Sequence, residues 1–275
     1  MAIMEMIDIG VNLTNELFTN DITEVITRAQ SAGVAQMIVT GCDLPHSTQA
    51  IALSKQYPEI LFATAGIHPH YAEACTSTLK TALAQLSTSP EIVAIGECGL
   101  DYCRNLKPKQ TQREVFEFQI ELAIQTKKPL FLHQREAHAD LLAIMDQYRH
   151  YANSAVVHCF TGDRNQLNAY LDRGWYIGIT GWLCDERRGT HLHSLVRHIP
   201  RDRLMIETDA PYLLPRSMHP LPKKRRNEPC FLSHILSELA KYRGEPQEIT
   251  VQNTTRVARH FFNLPSPQHA RNTQL

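Results

Sequence analysis

The sequence predicts an α/β protein: a single (β/α)8 barrel with a metal site at the C-terminal ends of its strands. Three observations lead there. The chain has 275 residues, 43% of them hydrophobic, which suits one barrel of about 250 residues. Eight short, continuous apolar runs alternate with segments of helical periodicity. Four of those runs close on a residue that can bind a metal: IVAIGE on Glu97, PLFLH on His133, AVVHC on His158 and LMIETD on Asp209. At intervals of about 25 to 50 residues, such endings converge if parallel strands close into one barrel. The barrel is expected to span 1–264, with 265–275 a polar, poorly ordered tail.

The predicted strands run in order Ile7 to Val11, Met37 to Thr40, Leu61 to Ile67, Ile92 to Gly96, Leu130 to Leu132, Ala155 to Val157, Tyr176 to Ile179 and Leu204 to Ile206. Each is apolar throughout rather than alternating, as strands buried on both faces require. Between them, Ile22, Val25, Ile26 and Ala29 fall at helical spacing, as do Leu79, Leu83 and Leu86. The stripe returns at Phe116, Ile120, Ala123 and Ile124, at Leu192, Leu195, Val196 and Ile199, and at Leu232, Ile235, Leu236 and Leu239. An open doubly wound sheet is the rival, but it would place ligands at one switch point rather than at most strand ends.

Composition narrows the function. No apolar stretch reaches the ~20 residues of a membrane span, and MAIMEMIDIG lacks the pattern of a signal peptide. Seven cysteines without a CxxC pair suggest free thiols in the cytoplasm. No GxGxxG or Walker loop supports a nucleotide cofactor. The net charge is zero, which argues against a general nucleic-acid coat. The basic residues are nonetheless clustered after strands: Arg104, Lys107 and Lys109; Arg187 and Arg188; Lys223 to Arg226. In a barrel these clusters share the face of the metal site and are read as facing phosphate.

Imidazoles with carboxylates suit zinc, manganese or iron, and carboxylates alone lean toward magnesium. Glu97 lies between Gly96 and Gly99, which permit a sharp turn and a close approach. His133 and His158 end consecutive strands and fit one cation together. Asp209, set in a turn by the Ala-Pro step, is placed as a ligand and as a general base on the attacking water. Glu207, two residues earlier, points the same way along the strand as a supporting group. His68, in GIHPH, is placed to reach a substrate oxygen as electrophile or proton donor. Tyr102, Phe160, Trp182 and Tyr212 stand in strand-end loops and are candidates for stacking on bases.

The ordered set GIHPH, VAIGECGLDY, LFLHQREAH, VVHCFTG, YIGITGW, LMIETDAPYLLP and RRNEP resembles the TatD family of metal-dependent deoxyribonucleases, amidohydrolase-like TIM barrels, from Ile7 to about Leu264. The resemblance implies a 3′→5′ exonuclease on single-stranded DNA, and on RNA, serving DNA repair or turnover. It implies Glu97, His133, His158 and Asp209 as metal residues, with Asp209, His68 and Glu97 catalytic. His68, Arg225, Tyr102 and Asn12 would contact the substrate, and Asn227 and Glu228 would hold the RRNEP loop. A monomer acting without a membrane is expected.

The chain departs from the wider family on the first strand, where a HxH pair is usual and Gly10 and Asn12 stand instead. One firm cation site and one weak site are therefore expected, with Mg²⁺ favoured and Mn²⁺ or Zn²⁺ as alternatives. Histidine restored at Gly10 and Asn12 is expected to raise the metal stoichiometry. QNTTRVARHFF resembles the family's closing helix, in which Val257 replaces the usual Asn without a functional account. The alternative is an amidohydrolase acting on a small amide, lactone or nucleobase. Against it, no strand carries a lysine suited to bridging two metals, and the basic loops would be surplus. A decayed, purely binding barrel is disfavoured by the intact Glu97, His133, His158 and Asp209.

Overall fold

The computed structural model describes residues 5–103, 107–148, 154–222 and 224–266. Eight parallel strands form one sheet in sequential order: β1 Met6–Val11, β2 Val34–Val39, β3 Leu61–Ala65, β4 Ile92–Asp101, β5 Leu130–Arg135, β6 Ala155–Val157, β7 Tyr176–Ile179 and β8 Leu204–Ile206. The helices between and after them are α1 Ile22–Ser31, α2 Leu44–Gln56, α3 Ser77–Leu86, α4 Lys109–Thr126, α5 His138–Gln147, α6 Arg164–Asp172, α7 Leu192–Leu195, α8 Leu232–Arg243 and α9 Gln247–Phe262. The predicted (β/α)8 alternation is therefore the observed one.

Several expectations differ from the structure: β2 begins at Val34, β3 stops at Ala65, and β5 runs on to Arg135, so that His133 lies within it. The strand starting at Ile92 runs on to Asp101 instead of stopping at Gly96, because its second half continues to pair with β5. The Leu192–Ile199 stripe is only briefly α-helical and tightens into a 3-10 turn at Val196–His198 before Pro200. Its four apolar residues are still buried.

The barrel closes just beyond the strands. Asp209 N–H donates to Gly10 O and Asn12 N–H to Ala210 O, both at 2.8 Å. Below that seam the Asp8 carboxylate, fully buried, accepts Thr208 N–H at 2.9 Å and Thr208 Oγ1–H at 2.5 Å. Burial pushes its pKa up to about 7 against these hydrogen bonds.

Two apolar layers hold the assembly. The larger lies between strands and outer helices. The smaller fills the barrel and includes Ile7, Ile9, Ile38, Phe131, Val156 and Met205, joined by Val257, Ala258, Phe261 and Phe262 of α9. The closing helix thus plugs the end opposite the catalytic face, and Val257 is buried in that plug. Leu264 packs into the same layer, and Pro265 O accepts Gln36 Nε2–H at 2.9 Å. Residues 267–275 of the expected tail lie outside the described residues. No helix among the described residues is long and apolar enough to cross a membrane.

Candidate functional site

Glu97 stands inside β4, not at a strand end. The β4–β5 register shifts between Ile95 and Cys98, and Glu97 N–H donates instead to Gly41 O at 2.9 Å. Gly99, at φ 138°, makes this possible: a Cβ there would lie 2.0 Å from His133 O. The two strands approach as only glycine allows, which sets Glu97 and His133 facing each other.

Three imidazoles converge on one oxygen of Glu97. His133 Nδ1 lies 2.8 Å from Oε1, His158 Nε2 3.4 Å and His68 Nε2 3.6 Å. Each of the first two has a carboxylate on its far nitrogen. His133 Nε2 is 3.2 Å from Asp101 Oδ2, and His158 Nδ1 is 2.8 Å from Glu207 Oε2. Such pairs fix the ring and raise the basicity of the nitrogen that faces a cation. The Phe131 ring, 4.8 Å from that of His158, floors the site.

The electrostatics follow from burial and these neighbours. Burial pushes the Glu97 carboxyl up, but the imidazoles of His68, His158 and His133 hold it well below the usual range. Burial lowers His133, and Asp101 with Glu97 raise it to about 9. Burial likewise opposes His158, which Glu207 and Glu97 hold well above the ordinary histidine value. Protons therefore occupy the two nitrogens that a cation would take, so binding one releases them.

His68 is different. Burial lowers it to about 3 in spite of Glu97, and its Nδ1 accepts His70 N–H at 3.1 Å. A neutral imidazole with an accepting Nδ1 carries its proton on Nε2. The nitrogen that faces Glu97 is a donor. The atoms of His68, Glu97 and His133 lie within 4.8 Å of one another, yet this tautomer leaves Glu97, His133 and His158 as the donor set. One carboxylate and two carboxylate-backed imidazoles fit a divalent cation. A second trio, Cys42, Asp43 and His46, sits at the start of α2, where Asp43 is engaged as the helix cap.

Asp209 adopts φ 55° just after β8. Its Oδ1 accepts Asn12 Nδ2–H at 2.9 Å. Burial raises its carboxyl to about 7, countered by His158 and reinforced by Glu97 and Glu207. Asn12 is thus tied to Asp209. Gly10 supplies no ligand and instead makes room: a Cβ there would lie 2.5 Å from Glu207 Oε2, and one on Gly178 2.4 Å from Glu207 Oε1. Glu207 also accepts Cys159 N–H at 2.6 Å. Its carboxylate fills the space between β1 and β7.

A cavity of about 590 Å³ opens above these groups, bordered by Asn12, His68, Glu97, His133, His158 and Asp209. Trp182 and Tyr212 also border it; Tyr102 and Arg225 do not. Tyr102 donates its hydroxyl to Asp140 at 2.7 Å and carries Lys109 over its ring at 4.4 Å, so its polar tip and one face are occupied. Phe160 is buried beside a neighbouring cavity. Arg225 is exposed on the loop after β8, and among the described residues it has no ion pair. That loop is held by Asn227, which donates to Thr208 O and Tyr212 O, and by Glu228, which accepts from Arg28.

The basic clusters are largely neutralised within the protein. Arg187 and Arg188 bind Asp185, Arg226 binds Asp21 and Glu228, and Lys107 binds Glu73. Arg104 and Lys223 lie outside the described residues. The sequence reading missed Arg135, which borders the cavity, and Asp101 behind His133. Arg135 is two residues past His133, and strand periodicity puts both on one side. Asp101 is four past Glu97 and was hidden by the assumed strand end.

A sequential eight-stranded barrel whose mouth gathers carboxylates and imidazoles around one cation-sized point is that of a metal-dependent hydrolase. The chain matches the TatD related DNase family over residues 7–263 and belongs to it. A relative from Edwardsiella piscicida, named 3'-5' ssDNA/RNA exonuclease TatD, is 50% identical over 94% of this chain and 100% of its own. The Salmonella typhimurium protein of that name is 46% identical over 94% and 99%. The structure of YJJV, a TatD homolog from Escherichia coli, superposes with a TM-score of 0.88 at 26% identity over 96% of this chain and 100% of that one.

Proposed function

We propose that this protein is a 3′→5′ exonuclease that hydrolyses phosphodiester bonds in single-stranded DNA and RNA with a divalent cation. The observation that carries the chemistry is the meeting of His133, His158 and His68 within 3.6 Å of one Glu97 oxygen. The family and its named relatives supply the substrate class.

Glu97, His133 and His158 would hold the cation. When bound, it polarises a phosphoryl oxygen and lowers the pKa of a nearby water. Asp209 accepts that water's proton through the oxygen that Asn12 leaves free, with a carboxyl near 7 suited to exchange at neutral pH. His68 donates from Nε2–H to a non-bridging phosphate oxygen and offsets its charge. Arg135 and, farther out, Arg225 attract the strand's backbone.

Mg²⁺ is the proposed ion, with Mn²⁺ or Zn²⁺ as alternatives. One firm site is proposed because Gly10 provides no donor and Asn12 is engaged by Asp209. A second ion would be weak and completed by substrate. All seven cysteines are unpaired, in keeping with a reducing compartment. We place the enzyme in the cytoplasm, acting as a monomer in DNA repair or turnover.

The test is purified protein with 5′-labelled single-stranded DNA and Mg²⁺ or Mn²⁺. A ladder shortening from the 3′ end is expected, and Glu97→Ala or His158→Ala should abolish it. No cleavage with any divalent ion, under conditions where the ion is bound, would sink the reading.

A further inference from the structure

A second cavity of about 370 Å³ adjoins the catalytic one, and Gln134, Arg135, Thr161 and Trp182 border both. Its volume falls within the ~300–1,000 Å³ of small-ligand clefts. Nothing in the hydrolytic chemistry requires it.

Trp182 is held as a fixed plate between the two spaces. The Arg188 guanidinium covers its ring at 4.1 Å, and Asp185 holds that guanidinium at 2.9–3.0 Å. Thr180 Oγ1 accepts the Trp182 backbone N–H at 3.2 Å. The indole Nε1–H is buried and has no hydrogen-bond partner among the described residues. Buried donors are almost always paired, so this one is available to an acceptor that arrives with a ligand.

The walls sort a nucleotide by charge. Arg135 stands at the junction and, among the described residues, has no ion pair. Glu136 and Asp163 line only the second cavity and disfavour a phosphate there. Both carboxylates, with Gln166, accept hydrogen bonds of the kind that base amines donate. The backbone is thereby kept on the catalytic side and the flat, uncharged part of the nucleotide directed inward.

We propose that this second cavity receives a nucleobase flanking the scissile phosphate, with Trp182 as the residue that recognises it. The contact is sequence-tolerant, because every base has a face to stack; the indole N–H, lying in the ring plane, meets an acceptor beside the stacked base rather than on it. This rests on the reading of the site as a single-strand nuclease and adds to it a defined base subsite.

Two measurements test it. In the first, the 3′-terminal or the penultimate base of a short oligodeoxynucleotide is replaced by an abasic residue. Loss of the recognised base should raise KM about tenfold at one of the two positions, within the range that stacking implies, with little change in kcat. Trp182→Ala should show a similar KM on the intact strand and no further loss on the abasic one. Trp182→Phe keeps a ring but removes the N–H, and should lose about threefold. If the wild type degrades both abasic strands like the intact one, or the two losses multiply, the subsite is wrong while the nuclease reading stands.

The second measurement needs no turnover. The chain has two tryptophans, and Trp175 is buried against Tyr170. Titration of the wild type with single-stranded DNA in EDTA should quench indole emission, and Trp182→Phe should abolish the quenching. Absence of quenching at concentrations where DNA is bound overturns the proposal, whether or not cleavage is seen.

Discussion

Glu207 occupies space that Gly10 leaves open: a Cβ on Gly10 would stand 2.5 Å from Glu207 Oε2, the oxygen that meets His158 Nδ1 at 2.8 Å. The first-strand side chain and the support of His158 therefore compete for one position. This reverses the sequence-based expectation that histidine at Gly10 adds a metal. Gly10→His should displace Glu207, weaken the existing site and leave metal content at or below the wild-type level. Even Gly10→Ala should cost about 1–3 kcal/mol by overpacking. Metal content by elemental analysis and denaturant midpoints measure both, and a rise to two tightly held ions in Gly10→His would refute the competition.

The same geometry makes Glu207 and Asp101 matter through the histidines they touch. Glu207→Gln and Asp101→Asn should each weaken divalent-ion affinity about 10–100-fold, read by calorimetric titration of Mn²⁺. His158 is the more buried ring and its carboxylate is fully enclosed, so Glu207→Gln should be the more severe. Unchanged affinity in both variants would show that the carboxylates only fill space.

The sequence places Asp209 as both ligand and base. Its contact with Asn12 and its carboxyl near 7 favour the second role. Asp209→Asn should lower kcat about 10²–10⁴-fold, the usual weight of a positioned acid–base group, while ion affinity changes only a few-fold. Affinity that collapses as it does in Glu97→Ala would instead make Asp209 chiefly a ligand.

Asp8 ties the closing seam to pH. Its carboxyl rises from the ordinary 3.8 to about 7 because burial disfavours the charge. The folded protein therefore holds a proton at Asp8 that the unfolded chain has released between those values. Stability from this group is complete below about pH 4 and is lost as pH rises toward 7. Compared with Asp8→Asn, which cannot ionise, the wild type should lose a few kcal/mol of relative stability between pH 4 and 7. Urea midpoints at several pH values give that difference, and a pH-independent gap would contradict it.

Much of this was legible in the sequence because parallel barrel strands are apolar on both faces and announce themselves as runs. Ala155 to Val157, Tyr176 to Ile179 and Leu204 to Ile206 match the observed strands residue for residue. β4 did not, since its glycines look like a strand stop while they in fact admit a register shift. That one difference hid Asp101 and put Glu97 at an end rather than at a shift. Tyr102 and the arginines after β7 illustrate a second limit. Loop composition shows that a ring or a charge is present, whereas its engagement by Asp140 or Asp185 depends on residues brought in by other elements.

Among the basic residues, freedom from partners now separates those suited to DNA from those that build the fold. Arg135 borders the cavity and Arg225 is exposed beside the mouth, and among the described residues neither has an ion pair. Arg187 and Arg226 are spent on Asp185 and on Asp21 with Glu228. Each free cation that neutralises a phosphate of a single strand contributes about 0.7 to the slope of log K against log salt. Arg135→Ala and Arg225→Ala should each weaken DNA binding and flatten that slope by about this amount, measured by anisotropy in EDTA. Arg226→Ala should instead lower thermal stability by loosening the loop on α1 and leave the slope unchanged. The opposite pattern would mean that the paired arginines, released on binding, are the ones that grip the strand.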